Sequence, residues 1–274
     1  MTTPSSPRVA FIGGGNMASA IIGGLIGNGL PAAQIRVVEP FEAARTALHA
    51  KFGIDAQPAA SSTLTDADLV VWAVKPQSFK EAAQPVATYT AGALHLSVAA
   101  GITTDSIAQW LGTGRIVRAM PNTPALVGKG MTGLFARADV NANDQALIER
   151  VIGTTGQFVW VDAEHKLDAV TALSGSGPAY VFLFLEAMTQ AGVEMGLSAA
   201  QSYQLAIATF QGASELAARS DEPAATLRER VTSKGGTTYA AITHMQTQQL
   251  PAHFVQALHK AQIRAQELAA EFGA

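Results

Sequence analysis

From residue 8 onward, short apolar runs alternate with segments whose apolar residues recur at helical spacing. RVAFI at 8–12 precedes a helical pattern over 16–28, QIRVVE at 34–39 precedes another over 42–52, and DLVVWAV follows at 68–74. Such alternation predicts right-handed βαβ units, because neighbouring parallel strands need a crossover long enough to hold a helix. Apolar runs at 93–98, 115–119, 131–136 and 157–161 extend the parallel sheet to about eight strands. Beyond Asp162 the strand-like runs vanish, and Ala-, Leu- and Gln-rich segments with helical periodicity continue to the C-terminus. The pattern predicts an α/β domain over 7–162 and an all-α domain over 163–274.

The segment PAYVFLFLEAMTQAGVEM at 178–195 begins apolar on every side, so other helices must surround it. About 110 residues of helix hardly enclose it, and a second subunit is expected to supply the rest. Composition points the same way: 48% hydrophobic and 14% charged residues, with mean hydropathy +0.19, leave little charge to cover a monomer surface. Lys and Arg number 18 against 21 Asp and Glu, giving net charge −3 without a run of like charge, so no polyanion-binding stripe exists and nucleic acid is not an expected partner. Cysteine is absent, which excludes disulfides, thiolate ligands and sulfur nucleophiles and fits a reducing compartment. No apolar stretch approaches the roughly 20 residues of a spanning helix, and MTTPSSPR lacks a basic segment followed by an apolar one. A cytoplasmic protein with no membrane partner is expected, its residues 1–6 forming a loose tail.

Directly after RVAFI stands Gly13-Gly14-Gly15-Asn16-Met17-Ala18, a G-x-G-x-x-A motif. Gly13 permits a tight turn, Gly15 lets a pyrophosphate approach the backbone, and Ala18 keeps the helix close to the sheet, while Asn16 and Met17 open a helix whose free N–H groups meet the phosphates. A glycine trio alone can be an ordinary turn. The strand before it and the helix behind it mark a Rossmann-type dinucleotide-binding domain. The next strand ends in Glu39, either a solvated residue before Pro40 or the acceptor of adenine-ribose hydroxyls, and in the second case it repels a 2′-phosphate and hints at NADH. Arg45 is placed to reach such a phosphate, so the choice between NADPH and NADH stays open. Ligands of these sheets sit beyond the strand ends, which places Ala73, Val74, Lys75 and Pro76, then Ala99, Ala100 and Gly101, then Asn122 at the cofactor. Lys75 is a cofactor contact or a solvated strand-end lysine; the following Pro76 holds its backbone extended. Asn122, between two prolines, anchors the nicotinamide amide or closes a turn.

Four segments go beyond a generic dinucleotide site: AVKPQ at 73–77, RAMPNTPA at 118–125, LSGSGPAY at 173–180 and VTSKGGTTYAAI at 231–242. Through them the chain resembles the pyrroline-5-carboxylate reductases, collinearly from Arg8 to nearly the C-terminus. The resemblance implies NAD(P)H-dependent hydride transfer to the C=N carbon of 1-pyrroline-5-carboxylate, giving L-proline in the last step of proline biosynthesis. It implies a Rossmann domain followed by an all-α dimerisation domain whose helices intertwine with the partner's, hence a homodimer or a higher assembly of dimers. It also implies roles for named residues. The loop at Ser233, Gly235, Gly236 and Thr237 would hold the substrate carboxylate, Thr238 would offer its hydroxyl to the substrate nitrogen, and Ser176 and Gly177 would face nicotinamide and substrate. One departure stands inside that loop, where Lys234 replaces the family's common Pro.

These residue types suit the chemistry. A protonated iminium is already a strong electrophile, so its reduction needs positioning and a hydroxyl or water near nitrogen rather than a strong general base. Gly235 and Gly236, before a helical pattern, let backbone N–H groups converge on a carboxylate. Without the resemblance, Thr237 and Thr238 read more readily as helix caps, and Ser176 or Gly177 as the cap of a helix with Pro178 in its first turn. The six histidines show no H-x-x-H or H-E-x-x-H spacing, and no metal is expected. Two rival readings lack support in the sequence. A 3-hydroxyacid or 6-phosphogluconate type dehydrogenase needs a lysine in the first long helix of the second half, and 178–196 contains none. A non-catalytic dinucleotide sensor would have no use for the intact loop glycines and Thr238.

Overall fold

A computed structural model of the chain describes residues 6–272, so the tail expected over 1–6 lies outside them apart from Ser6. The chain forms two compact units, one comprising the residues through Ser176 together with those from Ala261 on, the other Gly177–Lys260.

The first unit is built on seven strands: β1 (Val9–Ile12), β2 (Ile35–Val38), β3 (Leu69–Trp72), β4 (Leu94–Ser97), β5 (Ile116–Met120), β6 (Gly130–Ala136) and β7 (Gly156–Trp160), in the order β2-β1-β3-β4-β5-β6-β7. The helices α1 (Asn16–Gly27), α2 (Glu42–Phe52), α3 (Pro76–Ala87), α4 (Thr104–Leu111), α5 (Ala142–Ile152) and the short α6 (Lys166–Val170) accompany them. Alternation along the strands divides the core in two. Val9, Phe11, Leu69, Val71, Leu94 and Leu96 pack with Ile21 and Ile22 on one side of the sheet, whereas Ala10, Ile12, Val70 and Trp72 pack with Phe79, Ile102 and Ile107 on the other. Both faces being covered, β1, β3 and β4 are buried along their whole length, which is why β1 and β3 read as short, continuous apolar runs, while β4 carries two buried polar residues, His95 and Ser97.

Two features depart from expectation. The sheet has seven strands among the described residues rather than about eight, and it is not wholly parallel, because β6 runs antiparallel to β5. Only the 3-10 turn Thr123–Val127 and four flanking residues join those two strands, too short a connection for a parallel crossover. With α5 between them, β7 returns parallel to β6. The sheet thus ends close to the expected boundary at 162, but residues through Ser176 still belong to the compact first unit, and so do the last turns of the C-terminal helix.

A charged stitch holds α6 to this sheet. Arg118, on β5 and nearly inaccessible, donates to Glu164 at 3.0 Å; the same carboxylate accepts the backbone N–H of Thr104 at 2.7 Å and its hydroxyl at 2.6 Å, at the start of α4. Burial raises the pKa of the neighbouring Asp168, an effect that the Arg118 guanidinium opposes. Elsewhere in the core, Trp72 Nε1 donates to His95 Nδ1 at 3.1 Å, and burial holds the His95 pKa down at about 4, so the imidazole is neutral.

The second unit contains α7 (Gly177–Glu194), α8 (Ala199–Ala218), α9 (Ala224–Arg230), α10 (Thr237–Thr247) and the first half of α11 (Leu250–Phe272). Phe184 meets Phe210 and Phe254, and Tyr180 meets Phe254 edge-on at 5.7 Å. Yet only Leu185, Gly192, Ser202 and Ala206 are buried in it, while Phe182, Leu183, Val193, Leu205, Leu216 and Val255 are exposed. A helical layer with so few buried side chains and so much open apolar surface carries an interface. Among the described residues, no helix is long and apolar enough to cross a membrane.

Candidate active site

In the first unit the parallel register carries one set of loops to one sheet edge. Ile12 pairs with both Val38 and Trp72, Trp72 with Ser97, and Ser97 with Arg118, so the chain leaves β1, β2, β3, β4 and β5 on the same side. Gly13–Gly15, Glu39, Ala73–Pro76, Ala99–Gly101 and Asn122 stand there together. This edge includes the switch point between β1 and β3, where sheets of this kind bind ligands.

The glycine turn is shaped for a close approach. Gly13 has φ +94°, and a Cβ there would lie 2.6 Å from the Ala73 carbonyl oxygen, so the turn abuts the end of β3 in a way only glycine permits. Around Gly15 the space is open, with nothing within 4 Å of its Cβ direction. Gly15 occupies the cap position of α1 without a side-chain capping bond, no acidic residue stands in the first turn, and Ala18 is buried against the sheet. The N–H groups of Asn16 and Met17 therefore face outward with no partner among the described residues, a fit for a pyrophosphate.

Glu39 is neither solvated nor idle. It is buried, with Oε2 accepting the Gly14 N–H at 2.7 Å and Oε1 the Phe41 N–H at 2.9 Å. Its carboxylate joins the glycine turn to the loop after β2. Arg45 donates to the Glu39 and Pro40 carbonyls at 3.0 and 2.7 Å, which fixes a guanidinium beside the same loop. Lys75 takes an extended backbone at the cap position of α3, with Pro76 opening the helix and the lysine side chain exposed. Ala99 and Gly101 are buried after β4, and Ala100 is half-buried between them.

Asn122 commits both ends of its amide to the protein. Its Oδ1 accepts the Met131 N–H at 2.9 Å, and its Nδ2 donates to the Ser174 hydroxyl at 3.1 Å and carbonyl at 3.3 Å. Ser174 belongs to a π turn, Thr171–Gly175, which follows α6 without a break. Ser176 therefore does not cap a helix: its backbone is helical, and its N–H donates to the Thr171 carbonyl five residues back at 2.8 Å. An extra residue is accommodated inside a helix here, as happens often at functional sites. Gly177 opens α7 with Pro178 beside it.

In the second unit, Ser233, Lys234, Gly235 and Gly236 lead into α10, which begins at Thr237. Gly236 holds the cap position and no side chain caps the helix, so neither Thr237 nor Thr238 serves as the cap. Thr238 is half-buried, and its hydroxyl has no partner among the described residues. With no acidic residue in its first turn and Gly235 at φ +78°, α10 presents free N–H groups suited to a carboxylate. Two residues passed over in the sequence matter in the structure. Ser174 lies inside LSGSGPAY and Arg118 inside RAMPNTPA, but only their partners distant in sequence, Asn122 and Glu164, give them a role.

A family model described as pyrroline-5-carboxylate reductase dimerisation matches residues 164–268, and one described as NADP oxidoreductase, coenzyme F420-dependent, matches residues 8–101. The pyrroline-5-carboxylate reductase of Pseudomonas aeruginosa is 45% identical over 271 residues, covering 98% of this chain and 99% of the relative. That of Escherichia coli is 38% identical over 265 residues, with 95% and 98% covered. Among solved structures, a pyrroline-5-carboxylate reductase from Coxiella burnetii has a TM-score of 0.90 at 38% identity, with 97% of this chain and 99% of that chain covered. The Plasmodium falciparum pyrroline carboxylate reductase solved with NADP bound has a TM-score of 0.85 at 26% identity, with 96% and 98% covered. Likeness of this extent runs through the dinucleotide edge, the π turn and the α10 loop alike, and the chain belongs to the pyrroline-5-carboxylate reductase family, with a Rossmann-type domain followed by an all-α dimerisation domain.

Proposed function

We propose that the chain carries out the reaction of its family, the NAD(P)H-dependent reduction of 1-pyrroline-5-carboxylate to L-proline that ends proline biosynthesis, through the following division of labour. Gly13, Gly15, Asn16, Met17 and Ala18 seat the pyrophosphate on the start of α1, and Ala73, Val74, Lys75, Pro76, Ala99, Ala100 and Gly101 line the edge where the nicotinamide lies. A bound reduced nicotinamide supplies the hydride. Ser233, Gly235, Gly236 and Thr237 receive the substrate carboxylate at the start of α10, and Ser176 and Gly177 flank the substrate. The protonated ring nitrogen donates its N–H to Thr238 Oγ1, which holds the C=N carbon in place; hydride arrival at that carbon turns the iminium into the amine with no base required. The observation that carries this reading is the Thr238 hydroxyl following the Gly235-Gly236 turn, with no partner among the described residues.

Residues 163–274 assemble the chain as a homodimer or a higher assembly of dimers, supported by the open apolar surface of α7 and α8. Cytoplasmic residence accords with a chain free of cysteine. NADH serves at least as efficiently as NADPH, a reading supported by the Glu39 carboxylate held against the glycine turn by the Gly14 N–H, at the position where such sheets meet an adenine ribose. Oxidation of NADH and NADPH, compared side by side with pyrroline-5-carboxylate present, tests the reading. Failure of both cofactors to be oxidised overturns it.

A further inference from the structure

We infer that Asn122 is a positioning residue: it latches the π turn Thr171–Gly175 to the end of β5 and so decides which way Ser176 faces. The inference rests on the reading above that Ser176 flanks the substrate. Asn122 stands one residue past Pro121 at the ligand edge, where its amide could have reached toward a nicotinamide. Instead Oδ1 is taken by the Met131 N–H at 2.9 Å and Nδ2 by the Ser174 hydroxyl and carbonyl at 3.1 and 3.3 Å. The amide thus spans from the start of β6 to the π turn, both within the first compact unit.

A second contact seats the same turn. Gly175 lies so close to Met120, the last residue of β5, that a Cβ at Gly175 would come within 2.6 Å of Met120 Cε. Polar latch and apolar seat flank the turn at successive residues, Ser174 and Gly175. The turn needs them, because a π turn is wider than the α-helix it interrupts and its hydrogen bonds do not propagate. Ser176 N bonds to the Thr171 carbonyl rather than to that of Ala172, the partner an α-helix would use. If the turn relaxed to α-helical register, one residue would be absorbed and Ser176 would swing by about 100° around the helix axis, the rotation per residue of an α-helix. Such a swing moves a side chain off its substrate while leaving the glycine turn after β1 untouched.

The test uses the full-length protein and three variants: Asn122→Ala, Ser174→Ala and the two together. Ser174→Ala deletes one half-buried hydroxyl and keeps the carbonyl arm, so it remains informative should Asn122→Ala fold poorly. Two quantities are read for each: the dissociation constant of NADH and NADPH from quenching of protein fluorescence without substrate, and kcat/KM for pyrroline-5-carboxylate at saturating cofactor. The latch requires kcat/KM to fall about 10-fold or more in Asn122→Ala and about 3-fold or more in Ser174→Ala, with the double variant no worse than Asn122→Ala and cofactor affinity within twofold throughout. Cofactor affinity falling tenfold in Asn122→Ala but not in Ser174→Ala would make Asn122 a cofactor ligand and overturn the inference. Losses that multiply in the double variant, or an unchanged kcat/KM in Ser174→Ala, overturn it as well. Absence of activity in the unmutated protein sinks the underlying reading instead, and is told apart by that control.

Discussion

Replacing Glu39 by Ser tests how the acidic residue after β2 acts on the cofactor. Its carboxylate is buried and accepts two backbone N–H groups, from Gly14 at 2.7 Å and Phe41 at 2.9 Å, so the substitution has two separable effects. The first is common to both cofactors: an N–H of the glycine turn loses its partner, at about 1–3 kcal/mol, and KM rises for NADH and NADPH alike. The second is specific. A carboxylate and a 2′-phosphate about 4 Å apart repel by about 1 kcal/mol per pair of unit charges in water, and by more where the site is partly dry. The two N–H donors and the Arg45 guanidinium on the Glu39 carbonyl offset part of that field, so a net effect of about 1 kcal/mol is expected, or roughly fivefold. The ratio of kcat/KM for NADPH to that for NADH should therefore rise about fivefold in Glu39→Ser. Glu39→Gln, which keeps an acceptor and removes the charge, should give the same ratio with a smaller common loss. Initial rates with both cofactors, accompanied by thermal unfolding, supply the numbers. An unmutated enzyme that strongly prefers NADPH, or a ratio that moves in neither variant, would refute the electrostatic argument and leave Glu39 as a backbone latch alone.

Thr238→Ala should lower kcat/KM for pyrroline-5-carboxylate by roughly 10- to 150-fold, the worth of one hydrogen bond to a charged group at about 1.5–3 kcal/mol, while cofactor affinity stays unchanged; wild-type kinetics would remove Thr238 from the reaction. His95 has a folded pKa of about 4 against 6.5 when unfolded, so below pH 6.5 the unfolded chain binds the extra proton. Stability should be full above that pH and fall by about 3 kcal/mol as pH drops toward 4, a loss that urea titrations at pH 7 and 5 would detect and that His95→Gln should flatten. Glu164→Ala leaves the Arg118 guanidinium buried without its counter-charge and strips α4 of two bonds at Thr104, and urea unfolding should register a loss of about 3 kcal/mol; a loss under 1 kcal/mol would mean that water replaces the carboxylate freely.

Sequence alone determined whatever depends on local pattern. The helix over 42–52 appears with those same bounds, and β1, β3 and β4 are found where buried runs were read; a strand covered on both faces is largely apolar, and the polar exceptions on β4, His95 and Ser97, are buried with it. The glycine turn was legible because tight turning and close approach of a ligand both demand missing side chains, and the loop into α10 was legible through its family motif. What tertiary structure decided was partnership. β6 reads as a strand like any other, and its antiparallel direction follows from the short connection behind it. Ser176 reads as a helix cap, because the residue pattern S-G-S-G-P is the same whether a helix begins there or a π turn passes through. Glu39 and Asn122 each allowed two readings, and the bond each makes in the fold goes to a residue far away in the chain, Gly14 for the one and Ser174 for the other. A polar side chain announces what it can bond to. Which donor stands within 3 Å of it depends on how distant segments are folded together, and no local spacing encodes that.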